Sequence, residues 1–255
     1  MIAETEGIVL RQTKAANGRR LIELFTKKYG KISVGSGLSE GGKNKAALLT
    51  RPFTYGDYQL YKGSEIYNLN GGHVLKSFYS IGEDIDKYSG CAYALELTDK
   101  ILPDEIAQPK LFVTLRDFLK AIEKRTKQVD TLVIVYMVKV LSLMGTEPVL
   151  DKCSCCGQEA SDRFFSVEDG GIICEKCFAE KNQHLQNEKL IFDTDFGIVD
   201  ILKYCNKEPF RSFEKIAING EVSSALLDVL KSFLSYHYDI KDLKSEEFFF
   251  CSRNE

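Results

Sequence analysis

The chain has 255 residues, 44% of them hydrophobic and 28% charged, which is more than one ordinary domain holds and enough apolar content for two or three packed units. The first eleven residues carry Glu4 and Glu6 without a long apolar run, and no stretch reaches the roughly 18 residues that cross a bilayer, so neither a signal peptide nor a membrane span is expected and the eight cysteines are expected in a reducing cytoplasm. The net charge of −3 hides an asymmetry: residues 1–80 hold twelve Lys and Arg against six Asp and Glu, a balance of +6, while the remainder holds 22 against 31, a balance of −9.

The first eighty residues alternate as β structure. Ile8 and Leu10 alternate with Val9 and Arg11, Asn17-Gly18 supplies a turn, and Leu21, Ile22, Leu24 and Phe25 resume the pattern before Tyr29-Gly30 breaks it. Ile32 to Val34 makes a third strand, Gly35 to Gly42 a loop, and Phe53 to Tyr61 with Glu65 to Leu69 a second hairpin around Lys62-Gly63-Ser64. Five short strands in this length predict a small closed barrel, the OB-fold first and the SH3-like barrel as its competitor. Phe53, Tyr55, Tyr58 and Tyr61 fall in those strands, where aromatic rings serve the core before they serve a ligand.

Helical periodicity takes over near Ile81. Ile85, Tyr88, Ala92, Leu95 and Leu102 keep one face up to Pro103, and a second helix opens after Pro109 with Leu111, Leu115, Phe118, Leu119 and Ile122. Val129 to Met144 is apolar nearly all round, as the central helix of a bundle would be. Asp193 to Asn206 and Glu221 to His237 predict two more amphipathic helices, followed by a polar tail from Ser252.

Between them stand Cys153, Ser154, Cys155, Cys156 and Gly157, answered by Cys174, Glu175, Lys176 and Cys177. Two Cys-x-x-Cys knuckles at this separation predict a ribbon holding one zinc through Cys153, Cys156, Cys174 and Cys177, with Asp169-Gly170-Gly171 as the reversal between them. Cys155 could stand in for Cys153 or Cys156 as a ligand, but the two-residue gap fits knuckle geometry better, so it is expected to be a spare thiol. Four sulfurs leave no coordination position for water, so such a zinc is structural. The whole is an α+β chain: a barrel over 1–80, an all-α helical bundle over 81–150 and 185–255, and a zinc ribbon inserted at 151–184.

Catalytic motifs are missing. His73, His184 and His237 are the three histidines; none belongs to a paired His and Glu metal helix or to the deaminase pattern, and no phosphate loop is present. The sequence therefore predicts a binding protein and not an enzyme. A zinc-ribbon transcription or nucleic-acid-binding factor and a zinc-dependent hydrolase are the alternatives.

Glu6-Gly7-Ile8-Val9-Leu10, Leu24-Phe25-Thr26, Tyr29-Gly30-Lys31, Pro52-Phe53 with Gly56, the Tyr93 to Leu97 helix, and Glu147-Pro148-Val149-Leu150 running into the knuckles resemble the bacterial DNA repair protein RecO family across nearly the whole chain. The resemblance implies an N-terminal OB-fold and a recombination mediator. Such a protein binds single- and double-stranded DNA, anneals complementary strands, and acts with RecR to help RecA displace single-strand-binding protein on the nucleoid. On the barrel, Arg11, Lys14, Arg19, Arg20, Lys28, Lys31, Lys43, Lys45 and Arg51 are the candidate phosphate contacts, because cations beside an OB-fold groove release counterions from a nucleic-acid backbone. The resemblance also implies docking of the acidic C-terminal tail of single-strand-binding protein. Arg116, Lys120, Lys124 and Lys127 form the candidate basic stripe, beside the apolar face of Leu115, Phe118, Leu119 and Ile122.

Overall fold

The structure, a computed structural model, describes residues 2–14, 20–36, 45–63, 66–182, 190–194 and 197–251. Strands β1 (Ile2–Lys14), β2 (Arg20–Thr26), β3 (Gly30–Ser36), β4 (Thr54–Lys62) and β5 (Tyr67–Ser77) close into a barrel in the order β1-β2-β3-β5-β4. All its pairings are antiparallel except β3 with β5, which run parallel at Val34/Tyr67 and Gly35/Asn68. An up-and-down barrel has no parallel pair; this Greek-key closure is that of the OB-fold. Alternate residues Ile22, Leu24, Ile32, Val34, Tyr58 and Leu60 point inward and fill the barrel with Val9 and Tyr67. A bulge between Val9 and Arg11 bends β1, so that it pairs with β4 along its first part and with β2 along its second.

Strand β5 runs well beyond the expected Leu69, straight through Asn70-Gly71-Gly72. These glycines are not a turn. A Cβ at Gly72 would stand 2.2 Å from the carbonyl oxygen of Asp57, so glycine is the residue that lets β4 and β5 approach each other where β4 carries its own irregularity.

The helices of the described residues are α1 (Ile85–Ile101), α2 (Pro109–Lys124), α3 (Asp130–Leu143), α4 (Glu175–Asn182), α5 (Ile198–Lys207), α6 (Gly220–Tyr238) and α7 (Lys244–Cys251). The chain packs as two compact units, one of Met1–Arg125 with Asp242–Glu255 and one of Thr126–Lys241.

In the first unit, Asp84 caps α1 by accepting from the N–H groups of Asp86 and Lys87 at 3.0 and 3.1 Å. Pro109 opens α2, where its missing N–H is no loss. The α2 face of Leu111, Phe112, Leu115, Phe118, Leu119 and Ile122 is fully buried, and Phe112 lies edge-on to Phe25 of the barrel with ring centroids 5.5 Å apart. Helix α7 was absent from the sequence expectation. Its start is capped by Glu96 of α1, which accepts from the N–H of Lys244 at 3.1 Å and from the N–H and hydroxyl of Ser245 at 2.8 and 2.6 Å. Phe249 then stacks on Tyr93 at 5.3 Å. Replacing Glu96 with Ala leaves these donors without their acceptor, a loss of about 1–3 kcal/mol. The expected result is selective release of the C-terminal segment, seen as faster amide exchange over α7 with the barrel strands unchanged.

In the second unit α3 is buried nearly all round, with α5 and α6 packed against it. Strands β6 (Phe164–Ser166), β7 (Gly171–Ile173) and β8 (Ile191–Asp193) form a sheet in the order β7-β6-β8. Asp193 was expected to open a helix. It instead ends β8, paired with Phe164, and the helix begins at Ile198 after Gly197 in a left-handed conformation. Among the described residues, no helix is long and apolar enough to cross a membrane.

Candidate metal centre and nucleic-acid interface

The two knuckles meet. Ile172 donates its N–H to Val149 at 2.9 Å and accepts from the N–H of Ser154 at 2.8 Å, which holds the first knuckle against β7. Gly170 takes the left-handed turn conformation with φ 74°, and a Cβ at Gly171 would stand 2.1 Å from the Val149 oxygen. The Gly-Gly pair thus has two causes, a turn and a close approach. The sulfurs of Cys153, Cys156, Cys174 and Cys177 all lie within 4.8 Å of one another, and those of Cys156 and Cys174 are 3.8 Å apart. A tetrahedron with metal–sulfur bonds of about 2.3 Å has edges of about 3.8 Å, so the cluster fits a divalent ion held by four thiolates. Cys155 lies outside the group, exposed. Burial raises the Cys153 thiol, but the N–H groups of Cys156 and Cys174, donating to its sulfur at 3.5 and 3.3 Å, outweigh burial and bring it to about 6. Hydrogen bonds to the sulfur favour its thiolate form, the form that binds a cation. Cys153 and Cys177 are buried with Phe164 and Ile173, and the Phe178 ring stacks on Phe164 at 3.8 Å.

The nine barrel cations fall into different environments. Lys31 is only 13% exposed, bound to Asp104 at 3.2 Å and to Asp99 at 3.7 Å; Arg11, 54% exposed, holds the same Asp99 at 2.8 Å and Glu23 at 3.5 Å. Arg20 is 5% exposed and donates to the Thr50 hydroxyl at 3.3 Å inside the barrel wall. Lys28 donates to the Glu4 carbonyl at 2.9 Å. It borders a groove of about 470 Å³ lined by Glu4, Glu6, Asp57 and His73, where Lys27 is bound to Glu6 at 2.6 Å. Hydrogen bonds from Lys27 and Tyr55 hold the Glu6 carboxyl below its ordinary range, so in this groove carboxylates and lysines are intermixed. Lys14 and Arg51 are exposed at the opposite end. Lys14 pairs with Arg20 across the β1–β2 hairpin, and Arg20 reaches Thr50 beside Arg51. Arg19, Lys43 and the side chain of Lys45 lie outside the described residues.

On α2, Arg116 pairs with Asp117 at 3.0 Å and Lys120 shares that carboxylate at 3.8 Å, while Lys124 is exposed in the last turn. The expected apolar slot beside them is closed: Leu115, Phe118, Leu119 and Ile122 are spent on the core of the first unit. Lys127 lies past the end of the helix, in the second unit. Sequence reasoning missed Asp99, which neutralises two candidates from 68 and 88 residues away, and no local signal marks it.

Residues 1–78 match the family model for the recombination protein O N-terminal region, and residues 82–247 match that for its C-terminal region. The chain belongs to the recombination protein O family. These are DNA repair proteins. The DNA repair protein RecO of Alkaliphilus metalliredigens is 30% identical over 251 residues, covering 97% of this chain and 98% of its own. That of Caldanaerobacter subterraneus is 25% identical over 245 residues, covering 96% of each. That of Bacillus pumilus is 32% identical over 180 residues, 71% of this chain and 70% of its own. As expected from its motifs, this family member joins an OB-fold barrel to a helical region with a four-cysteine cluster.

Proposed function

We propose that this family member is a recombination mediator that binds DNA without sequence preference through the hairpin end of its barrel, anneals complementary strands, and works by binding and not by catalysis. The observation that carries this reading is the hairpin end of the OB barrel, where Lys14 and Arg51 are exposed, while the carboxylates Glu4, Glu6 and Asp57 lie at the other end among Lys27 and Lys28. A polyanion is attracted to the exposed cations of the hairpin end. Lys31 and Arg20, held inside the fold, are assigned to structure. RecR and RecA are the proposed partners in strand loading, on the nucleoid in the cytoplasm. Arg116, Lys120 and Lys124 are the proposed cations for the acidic tail of single-strand-binding protein; the apolar end of that tail must seat elsewhere. Zinc is the proposed metal of the four cysteines, because four soft thiolates in a closed tetrahedron suit it and serve as scaffold.

The deciding experiment is annealing of complementary strands coated with single-strand-binding protein, which a plain zinc-ribbon transcription factor does not accelerate. Changing Lys14 and Arg51 together to Glu removes about two phosphate contacts. Near physiological salt, counterion release makes each worth about fourfold, so single-strand affinity is expected to fall about tenfold or more. The loss is expected to be equal for all sequences, since phosphates carry no base information. Unchanged affinity in this variant removes the hairpin end from the reading.

A further inference from the structure

The loop that carries Arg51 continues through Pro52 to Phe53, whose φ of 64° is left-handed, a conformation that costs a bulky residue energy and is kept only where neighbours enforce it. Here two hydrogen bonds enforce it. The Phe53 N–H donates to the Val9 carbonyl at 3.3 Å, and the Phe53 carbonyl accepts from the N–H of Phe78 at 3.2 Å. This places the Phe53 ring edge-to-face with Tyr88 of α1, centroids 5.6 Å apart. Tyr88 nevertheless stays 45% exposed, with Ile85 on the preceding turn 69% exposed and Tyr79 of the short 3₁₀ turn before α1 70% exposed. All of these residues belong to the first compact unit.

We propose that Tyr88, backed by Phe53, is a stacking platform for a base of single-stranded nucleic acid whose phosphates lie along the Arg51 and Lys14 end of the barrel. The inference rests on the DNA-binding reading above and deepens it. A cationic track beside an exposed aromatic face is the combination that holds single strands without reading sequence, because every base has a π-face. The barrel's own tyrosines do not supply that face on this side: Tyr58 is buried, and Tyr55 is held by Glu6. Charge sets the direction of the strand. Asp84 and Asp86, exposed at the start of α1, repel phosphates from beyond Tyr88, so the backbone keeps to the Arg51 side and the base falls over the ring. A duplex keeps its bases stacked within itself and has none to offer. The platform therefore separates single from double strands.

The chain contains no tryptophan, so Tyr88→Trp introduces its sole indole. Titration with oligothymidylate is expected to quench that indole with the same midpoint as the anisotropy of a labelled strand. Tyr61→Trp, at an exposed tyrosine paired with Ile2 on the carboxylate-lined end, is expected to stay unquenched. Tyr88→Ala is expected to weaken single-strand binding about tenfold, the scale of one base stacked on one ring, and duplex binding less than twofold. Strand binding without quenching at position 88, or equal losses for single strand and duplex, overturns the platform and leaves the barrel contact standing. Quenching at 88 by a protein partner and not by oligothymidylate also overturns it, assigning the patch to protein docking. No anisotropy change with the unaltered protein overturns both.

Discussion

Serine in place of Cys153 or Cys177 is expected to leave the purified protein without tightly bound zinc and to unfold the ribbon while the barrel keeps its strand signal. On its cysteine side the ribbon has little else to hold it, whereas its other face is anchored to α6 by Phe165 against Phe233 and by the Val167 carbonyl on His237. Its strands are three residues long, and the core on the cysteine side is Cys153, Phe164, Ile173 and Cys177 with a few half-buried neighbours, so two of these four buried members belong to the four-cysteine cluster. A structural zinc bound by four thiolates supplies about 10 kcal/mol or more of apparent folding free energy to a module of this kind, several times what such a core provides. Helices α3, α5 and α6 bury their own apolar faces and the barrel lies in the other unit, so the loss stays local. Cys155→Ser is the control. Its thiol is outside the cluster, and the variant is expected to keep one equivalent of zinc. Metal analysis together with proteolysis between Cys153 and Cys177 reads both effects. Full zinc content in Cys153→Ser, or equal loss in Cys155→Ser, sinks the assignment of ligands.

The ribbon was legible because metal ligation is written locally: two knuckles and a Gly-Gly reversal lie within 25 residues, and no distant partner is needed to interpret them. The barrel was legible for a similar reason, since period-2 alternation reports an inward face wherever it occurs. What failed was whatever depends on a partner far away in sequence. The strand expected to end at Leu69 runs on through Gly71-Gly72, because Gly72 lets β4 press against it. Helix α7 begins where Glu96, 149 residues from Ser245, accepts its N-terminal donors, and neither its short Phe248 to Phe250 run nor its length announces it. The cations show the same limit in another form. Composition located the positive charge correctly in the first eighty residues, but a lysine's availability is decided by whether an Asp99 folds onto it, and charge counting cannot see that. On α2 the periodicity of Leu115, Phe118, Leu119 and Ile122 marked an apolar face without saying whether a partner or the chain itself would cover it.

The chain itself covers it, and the largest packing effect expected in the first unit follows from that. Phe112→Ala is expected to lower the melting temperature of the barrel strands by about 10 °C or more, although Phe112 lies outside the barrel. Its side chain is fully buried and meets Phe25 of β2 at 5.5 Å and Tyr55 of β4 at 6.2 Å, so it ties α2 to two strands that are not neighbours in the sheet. Truncating a buried Phe costs about 3–5 kcal/mol in lost transfer energy and residual cavity, a large part of the 5–15 kcal/mol that holds an ordinary domain together. Salt bridges do not offset the loss. Arg11 and Lys31 on Asp99 fix where α1 docks, but Arg11 is half exposed and its pair is screened by water. Because barrel, α1 and α2 belong to one compact unit and Phe112 packs on two of the strands, strands and helices of this unit should melt together in the variant. Strand and helix signals separating into two transitions, or a barrel melting point unmoved by Phe112→Ala, would show that the barrel carries its own stability and that α2 merely rests on it.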